Sequence, residues 1–353
     1  MRIFTNRFCD RPHCSPRLCR RSNVWAATLA VALGASPGVS QAAEKPAPIV
    51  RIVAVQMKVE PAMYRDREAF EAAMDRVVGA AAAKKAKTCP TLVALPEDVG
   101  LGLVFLGQME TVKGATTIRE AGALLGQKMA SDVMERIGTH GVSPVRALLL
   151  ATNDAWLRDT YYGTFARLAK KHGIYLAAGS APISRPGSSE VRNVAVLFGP
   201  DGEILSETDK VHLIPLEEAE GLDLSPGRVA DLPVAQTPFG KVGTAICYDG
   251  FHDDVLDHLT ARGATIILQP SFNPAPWTKE QETDWATGLW QRLKARPEVR
   301  AGVNPMMVGG LWDIVPEGRT NIVAASAPNG YLGRLRSPTG PGLVVVDIRG
   351  SIQ

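Results

Sequence analysis

The chain reads as an α/β protein with mixed sheets, and three observations carry that expectation. Short apolar runs rich in Val, Ile and Leu alternate with Ala- and charge-rich runs of helical period. Two Gly-bearing turns, Gly199-Pro200-Asp201-Gly202 and Phe239-Gly240, separate apolar runs at hairpin spacing. Hairpins beside helix-connected strands give antiparallel pairs next to parallel ones, so a purely parallel sheet is not expected. The 353 residues are 45% hydrophobic and 21% charged, enough apolar surface for one large core. A single catalytic-sized domain over 43–353 is therefore expected rather than two.

In chain order, residues 49–56 form the first apolar strand and 65–87 an Ala-rich helix. Residues 91–95 are a second strand, stopped by Pro96. The stretch around 98–161 exceeds what a minimal scaffold needs. It carries a helical pattern over 117–137, and its position between a strand and the next core element suits a pocket wall. A helix over 165–172 is closed by Gly173 and leads into strand 174–178. Residues 193–198 and 203–206 flank the first hairpin turn, and 234–237 and 241–246 the second. Helix 253–262, strand 265–269, a helical stretch 278–296 and strands near 306, 321–325 and 343–347 complete the pattern.

Three apolar strands each end on a chemically useful side chain. TLVALPED presents Glu97, the strand before DKVHL presents Lys210, and GTAICYD presents Cys247. The carboxyl edge of a sheet is where α/β proteins assemble their sites. Alone, a cysteine in an apolar run reads as core, and an acid or lysine at a strand end as a solvated charge. In combination they supply what a thiol nucleophile requires. A free thiol with a pKa of about 8.5 is mostly protonated at neutral pH and needs a base or a nearby cation. Glu97 suits the base, Lys210 suits a donor to the developing oxyanion, and the backbone N–H of Tyr248 suits a second donor.

These blocks resemble the nitrilase, or carbon–nitrogen hydrolase, superfamily, whose signature is a Glu-Lys-Cys triad in this chain order. The likeness spans roughly residues 50–348. It implies a four-layer αββα sandwich, a thioester acyl-enzyme acting on non-peptide C–N bonds, and no metal or organic cofactor. It also implies pairing into a homo-oligomer, commonly a dimer across a surface helix. The resemblance further implies a supporting acid after the lysine; among Glu217, Glu218 and Glu220 the expectation falls on Glu218. Asn273 and Trp277, in the loop after strand 265–269, are the implied substrate contacts. At 295–307 the chain departs from the family's usual Ala-x-Glu-Asn arrangement. Tyr248-Asp249 after the cysteine favours an amide substrate over a nitrile or carbamoyl group. Acyl transfer to an amine, and a catalytically silent binding protein on the same scaffold, are the remaining alternatives.

Residues 1–42 hold six arginines (Arg2, Arg7, Arg11, Arg17, Arg20, Arg21) and one acid, Asp10. An apolar run over 24–35, a Pro37-Gly38 breaker and small residues at Ser40 and Ala42 read as a signal peptide cleaved before Ala43. Arg20-Arg21 adds a twin-arginine reading, and the expected location is periplasmic or secreted. The run is too short for a permanent membrane anchor. Without this segment 33 basic residues face 35 acidic ones, a net charge of −2, which gives no footprint for nucleic acid. Cys9, Cys14 and Cys19 leave with it, so Cys89 and Cys247 remain and no disulfide framework is expected. Two rivals are weaker: Asp254 and His258 at metal-ligand spacing on one helix face, and a Cys–His pair using His212 or His252.

Overall fold

Two sheets face each other across an apolar interior, with helices outside both. The computed structural model describes residues 48–349; the expected signal peptide lies outside them. Strand β1 (Pro48–Val59) is followed by helix α1 (Arg67–Ala82), whose N-cap Asp66 accepts from the Ala69 amide at 2.7 Å. Next come β2 (Thr91–Ala94) and then helices α2 (Ile118–Lys128), α3 (Ala130–His140), α4 (Pro144–Thr152) and α5 (Arg158–His172). Strands β3 (Tyr175–Ser184), β4 (Val191–Phe198) and β5 (Ile204–Asp209) close the first half. The second half holds β6 (Val234–Thr237), β7 (Gly240–Thr244), α6 (Asp253–Ala261) and β8 (Ala264–Leu268). It ends with α7 (Lys279–Ala286), α8 (Leu289–Arg292), β9 (Ala301–Asn304), β10 (Met307–Gly309), β11 (Asn321–Val323), β12 (Tyr331–Arg334) and β13 (Gly342–Arg349).

The seven-stranded sheet runs β10-β1-β2-β3-β4-β5, with β13 also paired to β1. The six-stranded sheet runs β12-β11-β9-β8-β7-β6. Both mix parallel pairs (β1 with β2, β7 with β8) and antiparallel ones (β3 with β4, β6 with β7), as the hairpin turns dictate. Ile52, Ala54 and Leu92 of the first sheet meet Val242, Ile266 and Val303 of the second in one buried cluster. Phe70, Met74 and Phe165 pack α1 and α5 onto the outer face of the first sheet, and Leu256, Leu259 and Leu293 cover the second. The arrangement is the expected αββα sandwich.

Several expected elements differ in length. Strand 174–178 continues to Ser184 because β4 pairs with its whole length. The helical pattern over 117–137 splits at Met129 (φ −99°, ψ 28°), and the stretch 278–296 breaks at Gly288, where a Cβ would sit 2.8 Å from the Phe251 ring. Period alone does not register either interruption. Among the described residues no helix is long and apolar enough to cross a membrane.

Candidate active site

Glu97, Lys210 and Cys247 are brought together. Glu97 follows β2 through Leu95-Pro96 and is 2% exposed. Gly179 in β3 makes this placement feasible, since at φ 69° a Cβ there would lie 1.9 Å from the Pro96 carbonyl. Lys210 stands directly after β5, where its backbone N–H donates to Asn193 O at 2.9 Å and its carbonyl accepts from Gly227 at 2.7 Å. Its side chain is fully buried, with Nζ 2.8 Å from Glu97 Oε1 and 2.6 Å from Glu217 Oε2.

Cys247 opens a tight turn after β7 with φ 47°, a left-handed conformation that costs a non-glycine residue about 1–3 kcal/mol. The surroundings hold it there. Its N–H donates to Pro270 O at 2.9 Å, and its carbonyl accepts from Gln269 Nε2 at 2.7 Å. Gly250 permits that glutamine to approach, because a Cβ there would lie 2.3 Å from Nε2. The thiol donates to the Phe272 carbonyl at 3.9 Å, and Glu97 is near enough for its charge to raise the thiol. The Phe272 N–H in turn donates to Glu97 Oε2 at 2.9 Å. One residue of the 270–273 loop therefore fixes both base and nucleophile.

The electrostatics follow from burial and from two carboxylates sharing one lysine. Burial pushes the Glu97 carboxyl up to about 7; Lys210 pulls it down and Glu217 pushes it further up. Burial by itself would lower Lys210, but Glu97 and Glu217 outweigh it and hold the ammonium charged. Burial, with Glu97, raises the Cys247 thiol, so the resting sulfur is protonated. The half-buried Asp98, at φ 60°, is raised by burial and by the charges of Glu97 and Glu217.

Some expected partners are displaced. The acid that reaches Lys210 is Glu217, not the expected Glu218: Glu217 is 3% exposed, whereas Glu218 is exposed to solvent. A turn in which Glu217 Oε2 accepts from the Ile214 amide at 3.0 Å selects the buried acid. The Asn273 amide is spent on its own loop, donating to Ala275 O and Glu317 O, each at 3.0 Å, so it has no donor left for substrate. Trp277 is half-buried against Trp285, and it is Trp285 that packs on the Ile246–Cys247 cluster. Tyr248 follows Cys247 in the turn, its ring against Phe251 and His252.

Two residues were missed. Asn193 Nδ2 bridges Glu97 (3.0 Å) and Glu217 (2.8 Å); a polar residue opening the apolar run of β4 was its signal. Asp249 accepts from the His212 amide at 2.7 Å and from Val211, tying the segment after Lys210 to the cysteine turn. Burial raises its carboxyl to about 6. The rival pairs do not form. His258 bonds Leu232 O, Asp254 instead meets His212 at 3.1 Å, and the His212 and His252 rings stack on each other.

The model of a family described as carbon–nitrogen hydrolase matches residues 51–291. An omega-amidase of Xenopus tropicalis is 34% identical over 123 residues, 32% of this chain and 43% of that protein. A deaminated glutathione amidase of Yersinia enterocolitica is 31% identical over 112 residues, 30% of this chain and 38% of that one. The chain thus spans less than half the length of the curated relatives it matches. An amidase of Nesterenkonia sp. AN1, with acrylamide added at its active-site cysteine, aligns at TM-score 0.57 and 20% identity, over 84% of this chain and 92% of that one. A mutant of the same amidase in complex with butyramide aligns at TM-score 0.57 and 20% identity, over 86% and 92%. At this identity the likeness is one of fold.

Proposed function

The chain belongs to the carbon–nitrogen hydrolase family, and on that premise we propose that it hydrolyses a carboxamide through a thioester on Cys247. The observation that carries this reading is the single carboxylate of Glu97, held by the Lys210 ammonium at 2.8 Å and by the N–H of Phe272 at 2.9 Å, the residue whose carbonyl accepts from the thiol. As sulfur attacks the carbonyl carbon, the thiol proton passes to Glu97. The carbonyl oxygen takes the negative charge, facing Lys210 and the Tyr248 N–H as donors. Glu97 then protonates the nitrogen, the C–N bond breaks and ammonia or an amine leaves. Water, deprotonated by Glu97, attacks the thioester; the C–S bond breaks and the thiol recovers its proton. Lys210 keeps Glu217 as its partner at 2.6 Å in the steps where Glu97 holds the proton.

Ammonia release from a panel of amides, nitriles and carbamoyl compounds tests the reading. Release from amides by the wild type, and none by Cys247→Ala, is expected. Release from nitriles alone would move the chain to another branch of the chemistry, and no release from any would favour a silent scaffold. Residues 1–42 direct export in this reading, supported by their arginines and apolar run. Protein recovered from the periplasm or medium should begin at Ala43; a Met1 terminus on cytoplasmic protein would contradict it. Pairing into a dimer rests on the family resemblance and is checked by light scattering.

A further inference from the structure

The segment between Glu97 and β3 forms most of the wall of an open hollow of about 700 Å³, completed by Leu216, Leu222 and Ile314 and lined by none of Glu97, Lys210, Glu217 and Cys247. Its walls are the turn Leu101–Phe105 and helices α2, α3 and α4, with Leu101, Val104, Phe105, Val133 and Leu148 as the apolar lining. The volume lies within the range of about 300–1,000 Å³ typical of small-molecule sites. Gly122 and Gly126, one turn apart on α2, face it, and a Cβ on either would meet nothing within 4 Å. The hollow thus owes part of its space to two missing side chains. Met134 and Val145 at its rim are 64% and 41% exposed, apolar surface that a monomer rarely presents without a use.

Three chain segments join this cavity to the catalytic centre. Leu101 lies four residues beyond Glu97 on the same loop. Leu216 and Leu222, both in the wall, bracket the turn that aims Glu217 at Lys210, and Arg119 of α2 donates to Glu220 O of that turn at 3.0 Å. Asp313, also in the wall, accepts from the first amide of α2 at 2.8 Å. The same stretch reaches Glu317, whose N–H donates to Asn273 O and whose carbonyl accepts from the Asn273 side-chain amide, next to Phe272.

Resting on the hydrolase reading above, we propose that the cavity receives the apolar chain of the substrate, so that the substrate class is a medium- or long-chain aliphatic amide. The wall offers an alkyl chain apolar contact over most of its length. Its polar groups, Arg119, Gln127 and Asp313, belong to the exposed side of α2 and to the bond that anchors its first turn. The carboxamide end then lies at Cys247 and the tail among α2, α3 and α4.

The test is a chain-length series from acetamide through hexanamide to decanamide, using the full chain. Calorimetric Kd is measured on Cys247→Ala and kcat/KM on the wild type. Affinity should rise by about fourfold per methylene until the cavity is full. Gly126→Leu fills the hollow from a helical position where leucine is the better helix former. It should collapse the decanamide-to-acetamide ratio of kcat/KM at least tenfold, and Gly122→Leu should do the same. Thermal melting of both variants at or above the wild-type temperature separates this from misfolding. Hydrolysis of acetamide with Kd independent of chain length would overturn the tail site and leave the amidase reading standing. Decanamide binding that Gly126→Leu weakens, without hydrolysis of any amide by the wild type, would keep the tail site and overturn the amidase reading.

Discussion

The catalytic centre and the cavity beside it are built on opposite principles. At the centre, Glu97, Glu217, Lys210 and Asn193 are almost wholly buried, and one ammonium and one side-chain amide bridge two carboxylates at 2.6–3.0 Å. At the cavity, helices α2, α3 and α4 leave about 700 Å³ unfilled and keep apolar side chains in contact with it. The first region tolerates almost no change because a buried charge that loses its partner costs about 3–5 kcal/mol. The second should accept volume changes with small stability effects, because its side chains already lack neighbours on one side. Rigidity is thus confined to the groups that must hold a proton and an oxyanion, and latitude to the segment that meets the rest of the substrate.

Substitutions at the two regions should separate in order of size. Cys247→Ala should lower kcat/KM by at least about 10⁴-fold while leaving the melting temperature near that of the wild type, since it removes the nucleophile and little volume. Lys210→Ala should lose about 10²–10³-fold for the oxyanion donor and also destabilise the fold by several kcal/mol, because Glu97 and Glu217 are left facing each other. Near-wild-type kcat in that variant would remove Lys210 from the reaction.

Glu217→Gln gives a directional test of the electrostatics. Glu217 raises the Glu97 carboxyl, whose value is about 7, so removing its charge should move the acidic limb of kcat/KM to lower pH. That limb is a property of the coupled cluster rather than of Glu97 alone. Glu218→Gln, on the exposed neighbour, should leave the limb where it was. The same shift bears on stability. A carboxyl raised from 4.5 to about 7 in the folded state binds protons more tightly there than in the unfolded chain. Its contribution to stability therefore falls as pH rises from about 4.5 to 7.

At the cavity wall, Leu148→Ala should cost about 1–2 kcal/mol, against about 2–5 kcal/mol for Leu92→Ala in the fully packed space between the sheets. Equal losses, measured by denaturant unfolding, would mean that the wall is packed as tightly as the core. Cys89→Ser, far smaller, should leave turnover nearly unchanged. The Cys89 thiol is partly exposed and sits near Arg51 and Asp347 rather than at the centre.

The two regions were unequally legible in the sequence. The strands before Glu97 and Cys247 announce themselves, because each is an apolar run that ends on one incongruous side chain; β5, ILSETD, is largely polar, and only the DKVHL block marks Lys210. The mixed character of the sheets followed from the hairpin turns and the αββα layering from family likeness, whereas the strand order depends on pairings distant in sequence. Glu217 was misassigned to its neighbour because three acids in a short loop carry no period, and only the fold of the turn decides which one is buried. Asn193 was visible as a polar residue in an apolar strand, yet its bridging role depends on two carboxylates distant in sequence. In the segment 98–161, helical period marked a helix but neither its break at Met129 nor the hollow that Gly122 and Gly126 leave. Packing against other elements creates both.

The central claim, a covalent acyl intermediate on Cys247, is tested most directly by intact-mass spectrometry of protein mixed with excess amide and quenched in acid, followed by peptide mapping. The account predicts an added acyl mass on the peptide that carries Cys247, absent from Cys247→Ala and growing with the acyl chain supplied. An adduct on any other residue, or steady amide hydrolysis by the Cys247→Ala protein, would contradict it.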